Sequence, residues 1–167
     1  MSHLVMNEKT YKVLVLCTGN SCRSVMGEAL VNHLGAGRFQ AWSAGSNPIG
    51  RINAGALATL ARHGLPTEGY VSKSWEALEG IDFDILLAVC DSAAGEACPV
   101  YLSSAARANW GVADPGHHTG TPEEISAFEA TFATLKHRVQ RLVELPMDSL
   151  SREELCAELD RIGQEMG

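Results

Sequence analysis

The apolar run Tyr11–Cys17 leads without interruption into Thr18-Gly19-Asn20-Ser21-Cys22-Arg23-Ser24, and a helical pattern begins at Ser21. This junction restricts the fold more than any other feature. A run that is apolar at successive positions, rich in β-branched residues and lacking polar alternation suits a strand buried on both faces. Such strands belong to parallel sheets covered by helices. The rest of the chain repeats the alternation. Ser21–Leu34 reads as a helix with Val25, Met26, Ala29, Leu30, His33 and Leu34 on its apolar stripe and Gly35 as its stop. Phe39–Ala44 reads as a second strand closed by Gly45. Asn53–His63 reads as a helix with Leu57, Leu60 and Ala61 inward and Gly64 as its stop. Phe83–Cys90 is a third strand, apolar on both faces, and Ala108–Val112 a weaker fourth.

The C-terminal third reads as helical. Thr121-Pro122-Glu123-Glu124 has the form of a capping box with proline at the first helical position. Ile125, Phe128, Phe132, Leu135, Val139 and Leu142 then mark one buried stripe that ends before Pro146. Ser151-Arg152-Glu153-Glu154 is a second capping box, opening a short helix with Leu155, Leu159, Ile162 and Met166 on one side and Cys156 off that stripe. The expected fold is α/β: a single domain with a four-stranded parallel sheet and helices on both faces. Residues 1–10 are expected to be a flexible N-terminus, 11–145 the sheet domain, and 146–167 a helical extension on its surface.

A chain of 167 residues has room for one such core. Its net charge of −7 argues against a general nucleic-acid binder, which needs clustered Lys and Arg. No apolar run approaches the ~20 residues of a membrane span. The segment MSHLVMNEKTYK has no basic region followed by an apolar stretch, so no signal peptide is expected and a cytoplasmic location is the default. The five cysteines (17, 22, 90, 98 and 156) are odd in number, which disfavours a static disulfide framework and points to catalytic, redox or metal-binding roles.

Ligands of parallel sheets sit beyond the carboxyl ends of the strands. Cys17, Cys90 and the loop after Val112 all fall at that edge. In the Cys17–Ser24 loop, successive backbone N–H groups followed by a helix N-terminus form an anion cradle. Thr18, Gly19, Asn20, Ser21, Cys22, Arg23 and Ser24 are its candidate binding residues. Arg23 suits bidentate contact with a tetrahedral oxyanion. Gly19 permits tight backbone passage, and Asn20 tolerates left-handed geometry and can brace the loop. Helix N-termini and nearby cations lower thiol pKa values, so Cys17 is expected to be a thiolate at neutral pH, with Ser24 donating to its sulfur. Asp114, held extended before Pro115, is a candidate general acid.

The Cys17–Ser24 loop, Ser43-Ala44-Gly45 and Asp114-Pro115, in this order, resemble the low-molecular-weight protein tyrosine phosphatase fold family. The resemblance covers most of residues 11–145. It implies either of two chemistries, a phosphatase or an arsenate reductase. Cys90 and Cys98, in Val89-Cys90-Asp91-Ser92-Ala93-Ala94-Gly95-Glu96-Ala97-Cys98-Pro99, resemble the redox segment of the arsenate reductase branch, as does Trp110-Gly111. Gly116-His117-His118 stands where phosphatases often carry tyrosines.

The arsenate reductase resemblance implies catalytic Cys17, Arg23, Asp114, Cys90 and Cys98. Cys17 attacks arsenic, and disulfides pass from Cys17–Cys90 to Cys90–Cys98. Thioredoxin is favoured as reductant over glutaredoxin with glutathione. Phosphate or sulfate would mimic the substrate, and no cofactor is expected. A tyrosine phosphatase is the alternative function, and a non-catalytic oxyanion or metal module the third. A zinc site from Cys90, Cys98, His117 and His118 matches no common zinc spacing. Some relatives hold potassium near the cradle. Asn20, Glu28 and Ser43 match part of that site, whereas Lys73 can supply the charge itself, so no potassium or other metal is expected. Cys22 is read as packed and inert.

Overall fold

The structure, a computed structural model, describes residues 9–90 and 99–165. The strands are β1 (Tyr11–Leu16), β2 (Phe39–Ala44), β3 (Ile85–Ala88) and β4 (Ala106–Asn109). They form one parallel sheet in the order β2-β1-β3-β4. The helices are α1 (Arg23–Leu34), α2 (Ala54–Arg62), α3 (Glu124–Val143) and α4 (Arg152–Ile162), with short 3₁₀ turns between elements. Helices cover both faces of the sheet. Accordingly Val13, Leu14, Val15 and Leu16 of β1 and every residue of β3 are 1% exposed or less. None of these helices is long and apolar enough to cross a membrane.

The chain runs from β1 outward to β2 and returns to β3 on the opposite side of β1. The crevice between the carboxyl ends of β1 and β3 is therefore the point where the winding reverses, which is where sheets of this kind take ligands. Cys17 immediately follows β1, and Cys90 lies two residues after β3.

The elements match the expected order, with shifted edges. β3 is confined to Ile85–Ala88 and β4 begins at Ala106, because the register pairs Ile85 with Ala106 and Ala88 with Asn109. Ladder-like bonds continue past the strand, with Trp110 N–H donating to Ala88 O and Val112 N–H to Val89 O. Helix α1 buries Val31 and leaves His33 exposed, and α2 buries Ala56, Thr59 and Leu60 while Ala61 faces outward.

Thr121 does not cap α3. Its hydroxyl donates to His118 O, Gly120 N–H donates to the Glu124 carboxylate, and the helix starts at Glu124. Ile125 is 62% exposed, so the buried stripe begins at Phe128. The Ser151–Glu154 capping box forms as expected. α4 packs beside β4, anchored by Trp110 Nε1–H donating to Leu159 O at 2.9 Å.

Candidate functional site: an oxyanion cradle with two thiols

The loop after β1 is turned inside out relative to ordinary backbone. Its carbonyls point into the surrounding frame. Thr18 O accepts from Asn47 N–H, Gly19 O from Ile49 N–H and the Ser72 hydroxyl, and Ser21 O from Asn53 N–H, at 2.8–3.1 Å. With the carbonyls committed outward, the amides face the other way. Among the described residues no backbone N–H of Thr18–Ser24 donates to a backbone carbonyl. This is the donor concavity of an anion nest, completed by the N-terminus of α1.

Two residues make the turn possible. Asn20, fully buried, sits at φ 46°, the left-handed region that asparagine tolerates. Its side chain donates to Ser24 Oγ at 2.9 Å and accepts from Lys73 N–H at 2.8 Å, bracing the loop as expected. Gly45 passes directly against the loop. A Cβ there would stand 2.3 Å from Thr18 O and 2.5 Å from Cys17 O.

Arg23 opens α1. Its Nη1 donates to Val112 O at 3.0 Å, and its Nη2 lies 3.6 Å from Asp114 Oδ2. Its Nε is buried and has no hydrogen-bond partner, the one such side-chain N or O among the described residues. A buried guanidinium donor left over beside a nest of inward-facing amides suits an anionic ligand. Asp114 caps the 3₁₀ turn Pro115–His118 by accepting from Gly116 N–H at 2.9 Å, and His117 Nε2 stands 3.5 Å from its Oδ2. The structure thus brings Cys17, Thr18–Ser24, Arg23, Asp114 and Cys90 together. Cys98 lies outside the described residues.

The sulfur chemistry differs from the expected resting thiolate. Cys17 is 5% exposed and its thiol is pushed up from the ordinary thiol range. The largest cause is a hydrogen bond to the Cys90 side chain, followed by burial; Arg23's charge and the Gly19 N–H pull the other way. Cys90, 3% exposed, also bonds Thr18 Oγ1 at 3.7 Å. Cys17 and Cys90 thus form a buried thiol pair at the base of the cradle. Cys22 is buried, and its thiol is raised to about 12 by burial and then by Asp114's charge, which fits an inert packing role.

Beside the loop, Ser43 Oγ donates to Glu28 Oε1 at 2.5 Å. Burial raises the Glu28 carboxyl, while Ser43 and the charge of Lys73 oppose that rise. Among the described residues no three His, Cys, Asp or Glu side chains gather into a metal site. Sequence reasoning missed Ser72, Ile49 and Asn53, the loop's outer supports. They lie distant in sequence and carry no motif.

A parallel α/β sheet with a Cys-x₅-Arg-Ser loop at its switch point, carbonyls turned outward and a thiol at its base, has the form of an oxyanion cradle. The family model for low molecular weight phosphotyrosine protein phosphatase matches residues 12–156, and the chain belongs to that family. Among its relatives, an arsenate reductase of Bacillus licheniformis is 32% identical over 141 residues, covering 83% of this chain and 98% of the relative. The glutaredoxin arsenate reductase of Synechocystis is 26% identical over 132 residues, covering 79% and 95%. A solved structure described as an arsenate reductase in the phosphate binding state matches with a TM-score of 0.69 at 26% identity, covering 80% of this chain and 97% of that one.

Proposed function

We propose that the chain reduces arsenate to arsenite by a thiol relay. The observation that carries this reading is the Cys90 thiol hydrogen-bonded to Cys17 on the cradle floor. Hydrolysis of a phosphate ester needs one nucleophilic sulfur; a second sulfur in contact with it suits electron transfer. The arsenate reductases among the relatives support the same reading.

Arsenate docks on the loop amides and Arg23. The Cys17 thiolate attacks arsenic, Asp114 gives its proton to the departing oxygen, and water leaves. Cys17 gives its proton to the docked arsenate, and the charge of Arg23 and the Gly19 N–H stabilise the thiolate so formed against the opposing influence of Cys90. The Cys90 sulfur then attacks the Cys17 sulfur, its proton passing to an oxygen of the departing arsenite. The S–S bond forms, the S–As bond breaks, and its electron pair stays on arsenic, which leaves as arsenite. Cys98 attacks Cys90, releasing Cys17 and leaving a Cys90–Cys98 disulfide. An external dithiol reduces that disulfide. Thioredoxin is favoured, since an internal disulfide can be handed to it whole; glutaredoxin with glutathione is the alternative.

The test is single turnover with arsenate followed by mass mapping of the disulfides. The expected product is Cys90–Cys98 in the parent chain and a trapped Cys17–Cys90 in Cys98→Ser. Thioredoxin-coupled turnover is expected to vanish in Cys90→Ser while slow aryl phosphate hydrolysis persists. Aryl phosphate turnover with no arsenate reduction in the parent chain would return the protein to the phosphatase reading.

A further inference from the structure

The span carrying Asp114 is clamped from outside at four successive carbonyls. Trp110 O accepts from Arg138 Nη1 at 2.7 Å, and Gly111 O from the same nitrogen at 3.4 Å. Val112 O accepts from Arg23 Nη1 at 3.0 Å, and Ala113 O from Thr131 Oγ1 at 3.2 Å. Arg138 and Thr131 both lie on α3, remote from the cradle in sequence. Arg138 is 2% exposed, and its Nε also donates to Glu165 O at 2.9 Å, just beyond α4. Trp110, 1% exposed, holds α4 in turn through Leu159 O.

Burying a guanidinium is costly, and an apolar side chain of similar size fills a core without that cost. What only the planar, many-donor group supplies is simultaneous hold on carbonyls from two separate segments. Here those segments are the span before Asp114 and the C-terminal end of the chain. The geometry assigns Arg138 as a positioning residue. It fixes residues 110–113, and hence Asp114 against Arg23, and it makes the C-terminal helix part of that support. The assignment rests on the reading of Asp114 as the acid. Its physical basis is that Arg23 touches this span twice, at Val112 O and at Asp114, so movement of residues 110–113 shifts the acid relative to the oxyanion site.

The experiment uses the full chain and the variants Arg138→Met, Thr131→Val, Asp114→Asn and Arg138→Met/Asp114→Asn. Rates are measured with arsenate plus thioredoxin and with an aryl phosphate, whose leaving oxygen needs the same acid. Affinity is measured with inorganic phosphate, and thermal unfolding checks that each variant is folded. Arg138→Met is expected to lower kcat by about 10- to 100-fold, the scale of a misplacement near 1 Å. KM and the phosphate Kd should stay within about twofold, since the loop that presents the amides is held by Asn47, Ile49, Ser72 and Asn53 and not by Arg138. The alkaline limb of the pH–rate profile, where a proton donor is lost, should flatten as it does in Asp114→Asn. In the double variant kcat should be no lower than in Asp114→Asn alone, because positioning is worthless once the acid is gone.

Thr131→Val, which removes one hydroxyl, should show the same pattern at about threefold, and it carries the test alone if Arg138→Met does not fold. Losses that multiply in the double variant, or a phosphate Kd that weakens in step with kcat, would overturn the assignment of Arg138. An Asp114→Asn chain with unchanged kcat, or a parent chain inactive on both substrates, would overturn the acid reading as well.

Discussion

Replacing Gly45 with alanine tests the cradle more sharply than replacing any residue that faces the ligand. The new methyl would lie 2.3 Å from Thr18 O, where even 3.0 Å is essentially unobserved, so something must yield by about 0.7 Å. Gly45 itself has little freedom to retreat. Its N–H donates to Lys73 O at 2.9 Å and its carbonyl accepts from Trp75 N–H at 3.1 Å, closing a bridge opposite Ser74. The loop must therefore move, carrying the amides on either side of Thr18 out of focus. Overpacking of this kind costs about 1–3 kcal/mol. That corresponds to a melting point lower by about 2–10 °C for a chain of this size. Misplacement approaching 1 Å costs up to about 10²-fold in rate. We expect the phosphate Kd to rise at least about tenfold and kcat/KM for arsenate to fall by about 10- to 100-fold. Calorimetric titration with phosphate, steady-state turnover and thermal melting measure the three quantities. A Gly45→Ala protein that binds phosphate and turns over arsenate within twofold of the parent would refute the claim that loop geometry makes the site.

Cys90→Ala removes the largest influence holding the proton on Cys17, so the pH midpoint for Cys17 alkylation, followed by mass mapping, should move down; an unchanged or higher midpoint would contradict the thiol-pair account. Because the folded Cys17 value is raised, its stabilising contribution is present below the ordinary thiol pKa and is lost as pH rises through the folded value, and Cys90→Ala should weaken that alkaline loss. Tyr11 donates to the Asp148 carboxylate, which raises its phenol to about 12 from 10.0. The stability it confers is complete below pH 10 and is lost as pH rises toward 12. Tyr11→Phe should cost about 0.5 kcal/mol at neutral pH, screened by solvent, and the parent–variant gap in chemical denaturation should close between those pH values; a gap that widens with pH would be the wrong sign.

The sheet and the cradle were legible because both are local. Phe39–Ala44 is delimited by Gly45, and Asn20 announces its left-handed turn within the loop that needs it. What failed depended on neighbours distant in sequence. The Cys17 environment could be read for Arg23 and the helix N-terminus, but the Cys90 thiol that reverses the balance arrives from the loop after β3. Thr121 is the local exception: it met the pattern of a cap, but its hydroxyl turns back to the His118 carbonyl three residues earlier. Arg138 carries no motif, although its place three residues after Leu135 and four before Leu142 puts it on the buried stripe of α3. Helical periodicity was the signal that would have found it.

The outward commitment of the loop carbonyls has a consequence for selectivity. A receptor whose donors are set in advance by its scaffold recognises an outline and a charge, and it has no means of sensing the atom at the centre. Phosphate, which shares arsenate's outline, must therefore occupy the same seat whenever it is abundant. Under the proposed thiol relay, discrimination falls to what happens after docking, where arsenic accepts two electrons from sulfur and phosphorus does not. The abundant oxyanion then acts as a reversible competitor, so the effective affinity for arsenate is set by the phosphate concentration of its surroundings.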